Sequence, residues 1–355
     1  VLRTLHKIIG LTLGAIMTVI GLSGSLLVFD HAIDDRITPQ LRSLSTSSAA
    51  PLQLALSNAI AAAPDNAVAT RIDLARGPGA PHMVRFACRP PDDCTIEASI
   101  DTASGAVVAL RRWGEYPMSW LYRFHYTLLS GDTGKTLVGS MGIILLFFLG
   151  SGIYLWWPRK TLRIRAGSSI RLMRELHQVV GVVAAPVLLI CALTGITLVF
   201  YSQVHTAVDF FAPVAAKPQF HVSPAGQPKT IDELLDSVQT RYPAASVKRI
   251  YLPRRASQPL QVRLNTPDEA WSNHGASVAW INPYNGEVMG FWNAGKLPPG
   301  NTLLTWVFPL HNADALGFAG RILWVVAGLV PGLLFISGLL FWWLKKRSKA
   351  ALKAQ

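Results

Sequence analysis

The sequence predicts a membrane protein, mainly α-helical with α+β extramembrane parts, whose four transmembrane helices form two parallel repeats. Three observations lead there. Four apolar segments reach membrane-spanning length, the chain resembles itself at two fixed offsets, and its basic residues crowd the ends of the apolar segments. Half of the 355 residues are hydrophobic, only 15% are charged, and the mean hydropathy is +0.32.

The first segment, Ile8 to Val28, follows Leu5-His6-Lys7-Ile8-Ile9-Gly10. The third, Val179 to Phe200, follows Leu176-His177-Gln178-Val179-Val180-Gly181, so that at an offset of 171 Leu5/Leu176, His6/His177, Gly10/Gly181, Leu22/Leu193, Gly24/Gly195 and Phe29/Phe200 coincide. The second and fourth segments, Thr136 to Trp157 and Ile322 to Trp343, match at an offset of 186. There His125/His311, Gly131/Gly317, Gly134/Gly320, Gly142/Gly328, Ser151/Ser337, Gly152/Gly338 and two Trp pairs coincide, and Lys135 aligns with Arg321. Repetition of this kind is read before anything else. Each segment holds about 20 apolar or small residues, enough for roughly 30 Å of hydrocarbon.

The domains expected are a helix over 1–30, an extramembrane module over 31–132, a helix over 133–158 and a basic loop over 159–175. A helix over 176–203, a second module over 204–316, a helix over 317–344 and a tail over 345–355 complete the chain. In the first module Leu52 to Ala63 has helical spacing. Strands are expected at Ala69–Leu74, Met83–Phe86, Thr95–Ile100 and, after the turn Asp101 to Gly105, Ala106–Leu110. In the second, Ile231 to Tyr242 reads as helix. Val247–Leu252, Leu260–Leu264, Ser277–Ile281 and, after Asn282 to Gly286, Glu287–Phe291 read as strands.

The formal net charge of +13 does not point to nucleic acid. Arg159, Lys160, Arg163, Arg165, Arg171 and Arg174 crowd one short loop, and Lys345, Lys346, Arg347, Lys349 and Lys353 crowd the tail. Charge beside apolar segments sets topology: it places both termini and the short loop in the cytoplasm and the two modules in the periplasm. Trp156-Trp157 and Trp342-Trp343 suit the cytoplasmic headgroup belt. The N-terminal segment has no A-x-A-type cleavage site and reads as a retained anchor. Cys88 and Cys94 flank a turn-rich insert and pair if that insert is periplasmic; Cys191 is a small core residue.

A leading L-H-x-x-x-G helix, a module ending in a D/N-x-x-x-G hairpin and a closing S-G-x-x-x-W-W helix resemble the PepSY-associated transmembrane family over nearly the whole chain. Members of that family include haem-bearing ferric-siderophore reductases of bacterial inner membranes, ferrioxamine-reductase-like proteins among them. The resemblance implies an oxidoreductase that passes electrons across the membrane, reduces a ferric siderophore in the periplasm and releases Fe(II). Its electron donor is a separate cytosolic reductase or a quinol, since the short cytoplasmic segments carry no nucleotide or flavin fingerprint.

The histidines fit this expectation. An ionisable side chain at the edge of hydrocarbon has a task by default, and neutral imidazole is a common axial ligand of haem iron. Equivalent residues of two parallel repeats meet at matched depth, which pairs His6 with His177 toward the cytoplasm and His125 with His311 toward the periplasm. Two non-covalent, bis-His b-type haems follow, because no C-x-x-C-H is present for covalent attachment. Arg3, Arg174, Lys135 and Arg321 are candidate partners for their propionates. His31 and His205 do not align, and either remains open as a replacement in the outer pair. His82, His221 and His274 fall in the modules. Aromatic residues of the modules (Trp113, Tyr116, Trp120, Tyr122, Phe124, Trp271, Trp280, Trp292, Trp306) are core or interface anchors, with a subset available to dock a chelate.

Other chemistries find less support. No nucleophile or H-E-x-x-H motif occurs, carboxylates are sparse within the spans, and the cytoplasmic histidines lack co-ligands for zinc. Two rivals stand beside the reductase: a PepSY-type anchored regulatory or binding module without redox activity, and a siderophore permease.

Overall fold

A computed structural model of the chain describes residues 1–42, 49–158, 160–165, 167–269 and 275–353. Arg159, Trp271 and His274, singled out above, lie outside the described residues. The chain divides into two compact units: one takes Val1–Asp30, Leu121–Val204 and Val307–Gln355, the other His31–Trp120 and His205–Trp306.

The first unit is helical. Its long helices are α1 (Leu2–Leu27), α5 (Gly131–Trp156), α6 (Ser169–Val199) and α10 (Gly317–Lys353). All four are long and apolar enough to cross a membrane. They run beyond the apolar cores read from the sequence. Part of the expected basic loop is the first turns of α6, and the basic tail continues α10, because Lys and Arg are good helix formers and snorkel to the interface. The helices pack in a ring: α1 against α5 and α10, α6 against α5 and α10. Outward positions remain exposed and apolar, among them Ile143, Val183 and Leu333. Small residues let backbones approach: a Cβ at Gly21 would lie 2.5 Å from the Gly328 carbonyl oxygen, and the Ser25 hydroxyl donates to the Val325 carbonyl at 2.9 Å. Lys160 lies over Trp157 at 4.5 Å and Arg347 over Trp343 at 4.7 Å, the cation–aromatic pairing of an interfacial belt.

Short helices lead from the spans. These are α2 (Asp30–Ile37), α4 (Pro117–Thr127), α7 (Tyr201–Phe211) and α9 (Pro299–His311), none of which was expected. They are too short to stand out in a hydropathy profile. The link from α4 to α5 turns through Leu128, Leu129 and Gly131, all at positive φ. A Cβ at Gly134 would lie 1.6 Å from the Thr127 carbonyl oxygen, so only glycine fits there.

The second unit holds α3 (Leu52–Ala62), α8 (Ile231–Arg241) and eight strands, β1 (Ala67–Asp73), β2 (His82–Cys88), β3 (Thr95–Ile100), β4 (Val107–Arg112), β5 (Ser246–Tyr251), β6 (Leu260–Asn265), β7 (Ser277–Ile281) and β8 (Val288–Trp292). The strands of the two expected modules share one antiparallel sheet in the order β4-β3-β2-β1-β5-β6-β7-β8. Pairing of β1 with β5 matches Ile72 to Ile250 and covers two edges that separate modules would leave open. Alternate residues, Ile72, Val84, Phe86, Ile250 and Val262 among them, form the core beneath α3 and α8. The two helices cap one another. Asp232 accepts from the Leu52 and Gln53 amides at 2.8 and 2.9 Å, and the Gln53 side-chain oxygen accepts from the Ile231 amide at 3.1 Å. Cys88 and Cys94 form a disulfide with Cα atoms 5.1 Å apart.

Candidate functional site

The bundle brings its histidines together in two pairs. His6 on α1 and His177 on α6 stand with ring centroids 6.3 Å apart, and His125 on α4 and His311 on α9 also at 6.3 Å. Because α1 and α6 are not neighbours in the ring, both rings of the first pair reach inward across it.

Each histidine rests on a hydroxyl–glycine dipeptide of the next helix. His6 Nδ1 lies 2.7 Å from the Ser151 hydroxyl, His177 Nδ1 3.1 Å from Ser337, His125 Nδ1 3.0 Å from Ser23, and His311 Nδ1 2.9 Å from Thr194. The glycine that follows in each case faces the ring edge. A Cβ would lie 3.7 Å from His6 at Gly152, 3.4 Å from His177 at Gly338, 2.9 Å from His125 at Gly24, and 3.3 Å from His311 at Gly195. These glycines make room for imidazole.

The hydrogen bonds fix the tautomer. Each hydroxyl gives its proton to a carbonyl of its own helix: Ser151 to Phe148, Ser337 to Leu333, Ser23 to Ile20 and Thr194 to Ile190. It is then left to accept from Nδ1–H. His177 and His125 also donate to the Leu334 and Ile20 carbonyls, at 3.0 and 3.1 Å, which only a protonated Nδ1 can do. Nε2 therefore carries the lone pair on His177 and His125, and the hydroxyls beside His6 and His311 are placed for the same tautomer, that of a metal-ligating histidine held by a hydrogen bond from its other nitrogen.

The spacing suits a metal between the rings. An imidazole–metal bond of about 2.0–2.1 Å, with the ring centre about 1.1 Å beyond the nitrogen, sets two opposed ring centres about 6.3 Å apart. Among the described residues no group of three or more His, Cys, Asp or Glu is assembled for a metal ion. Two imidazoles alone suit an iron whose other positions a macrocycle fills, so the residues present fit haem. Along α1, Ser23 stands seventeen positions beyond His6, which separates the two pairs by about 25 Å at 1.5 Å per residue.

The flanking cations differ. Arg174 lies 3.6 Å from the buried Glu175 carboxylate, and its Nε is buried without a hydrogen-bond partner among the described residues. Arg165 also holds Glu175, at 2.7 Å, which folds the basic loop back on α6. Arg321 is engaged by Asp314. Arg3 is exposed and Lys135 half-buried. His31 and His205 belong to the sheet unit and are in neither pair. The His82 Nδ1 accepts from the Ala75 amide at 3.0 Å within the sheet unit, and His221 is exposed. Two of the aromatic residues have structural tasks. Trp280 is buried against Phe220, with ring centroids 5.4 Å apart, and the Tyr116 hydroxyl donates to Glu97 at 2.7 Å.

The four imidazoles that the bundle brings together in pairs are those named from the sequence, but the hydroxyls were missed and the glycines given only a packing role. The signal was present: Ser151-Gly152 and Ser337-Gly338 repeat, and Ser23-Gly24 aligns with Thr194-Gly195.

Residues 3–345 match the family described as the PepSY-associated TM region. No curated protein matches the chain.

Proposed function

This chain belongs to the PepSY-associated TM region family, and from that premise we propose that it is a di-haem reductase of a bacterial inner membrane. It passes electrons outward, reduces a ferric siderophore in the periplasm and releases Fe(II), which hard oxygen ligands hold less well. The observation that carries this is the double imidazole pair, each ring at 6.3 Å from its mate with Nδ1 against a hydroxyl of a neighbouring helix.

His6 and His177 would hold one b-type haem and His125 and His311 the other. When bound, these groups supply one-electron transfer across the bilayer. The protein's part is to fix position, ligand orientation and surroundings. Ser151, Ser337, Ser23 and Thr194 hold Nδ1–H, and the apolar helices exclude water. Arg174, with its unused buried Nε, is the best placed of the four cations for a propionate; Arg3, Lys135 and Arg321 are the others proposed.

We place both termini in the cytoplasm and the sheet unit in the periplasm. The Lys/Arg clusters support that orientation, and so does the Cys88–Cys94 disulfide, which belongs in an oxidising compartment. The matched identities at offsets 171 and 186 support two parallel copies of helix, module and helix. A separate cytosolic reductase or a quinol supplies the electrons.

Vesicles holding the protein, with a reductant sealed on the terminus side and a ferric siderophore plus an Fe(II)-trapping dye on the other, test this directly. Dye colour that needs both the protein and the reductant is expected. Chelate that crosses without reductant would instead mark a permease, and colourless, inert protein would mark a binding module.

A further inference from the structure

The seam of the sheet concentrates positive charge. Successive residues of a strand face opposite sides. With Ile72, Val84, Ile250 and Val262 in the core beneath the helices, their neighbours Arg71, Arg85, Arg249 and Arg263 line the other face. The register sets Arg71 opposite Arg85 and Arg249 opposite Arg263, on the four strands β2-β1-β5-β6 where the two halves join. Like charges directly opposite each other destabilise a sheet, and here two such pairs stand together.

Two carboxylates answer four guanidinium groups. Asp73 bridges Arg71, at 3.0 Å, and Arg249, while Glu97 takes Arg85. Arg263 has no carboxylate partner among the described residues, and its Nε, like that of Arg85, is buried with no hydrogen-bond partner. Lys217 adds its charge close to Arg263 and Tyr251. The side chains of Arg71, Arg85 and Arg249 keep 19–25% of their surface exposed, enough to be reached and too little to be well hydrated. Buried donors left unused call for an explanation. Guanidinium forks match carboxylate geometry in a way a point charge does not.

We propose that this arginine seam binds a carboxylate-bearing anion. Resting on the reductase reading above, we further assign that anion as the ferric chelate, so that the substrate class is the negatively charged carboxylate chelates.

Calorimetric titration of the full-length protein with ferric citrate, citrate alone, inorganic phosphate and a neutral ferric trihydroxamate tests the seam. Ferric citrate is expected to bind more tightly than phosphate or the neutral chelate, and more weakly as salt rises. Arg263→Gln and Arg71→Gln are each expected to lower its affinity at least tenfold, while the visible spectrum stays unchanged and the melting temperature holds or rises. The assignment is overturned if ferric citrate does not bind, if both variants bind it as wild type does, or if phosphate or the neutral chelate binds more tightly. Citrate alone matching ferric citrate would keep the carboxylate site and remove the iron chelate as its ligand. The two readings fail separately. Colourless protein that binds ferric citrate through the arginines keeps the seam, and haem-bearing protein blind to ferric citrate keeps only the reductase.

Discussion

Four imidazoles sit against four hydroxyl–glycine dipeptides, and the differences among the four make graded predictions. Among the described residues Ser151 is the one hydrogen-bond partner of His6 Nδ1, whereas His177 has both Ser337 and the Leu334 carbonyl. If the first pair holds haem as proposed, Ser151→Ala should therefore loosen it by about 10–100-fold, the usual cost of losing the hydrogen bond behind a metal-ligating histidine. Ser337→Ala should cost less; transfer of haem to an acceptor protein measures both. Glycine substitutions should divide the same way. The Cβ of Gly24→Ala would lie 2.9 Å from His125 and displace that ring, while Gly152→Ala leaves 3.7 Å to His6 and should be tolerated. In the sheet unit, burial holds His82 below its ordinary pKa of 6.5, and its Nδ1 accepts from the Ala75 amide only when neutral. Folding thus disfavours the protonated form. The stability this contributes is present above pH 6.5 and is lost as pH falls through the depressed value. Melting temperature should drop more steeply below pH 6.5 in wild type than in His82→Gln.

At the scale of elements, the paired helices of the sheet unit depend on each other's first turn. Asp232→Ala leaves the Leu52 and Gln53 amides without their acceptor and should destabilise the protein by about 1–2 kcal/mol, read by denaturant or thermal unfolding. Strands were legible wherever apolar residues alternate between turn signals: β3 and β7 fall where expected, and the others shift by one or two residues at one or both ends. The pairing of β1 with β5 was not legible, because Ile72 and Ile250 are far apart in sequence and an edge looks the same whether open or paired. The short helices α4 and α9 were also missed. Each is amphipathic over only three turns, and each carries one histidine of the second pair. The histidines could be named from the repeat, but the elements that hold them could not.

On the scale of the whole molecule, the apolar spans declared themselves by length, and the duplicated L-H-x-x-x-G and S-G sequences declared which residues correspond. The repeat led to the expectation that corresponding histidines meet; what the sequence could not carry is the order of the helices around the ring, with α1 and α6 across from one another. Compartment is testable apart from redox activity. If the sheet unit is periplasmic, a membrane-impermeant thiol reagent applied to intact cells should label Cys88 and Cys94 only after reduction. Labelling without reductant would argue against the disulfide, and no labelling even after reduction would argue against the orientation. The central claim is that two imidazole pairs each grip a haem, and the haem-to-protein ratio of the purified chain tests it most directly. Two haems per wild-type chain are expected, one in His6→Ala or His177→Ala, and one in His125→Ala or His311→Ala. No haem in the wild type, or two in all four variants, would contradict it.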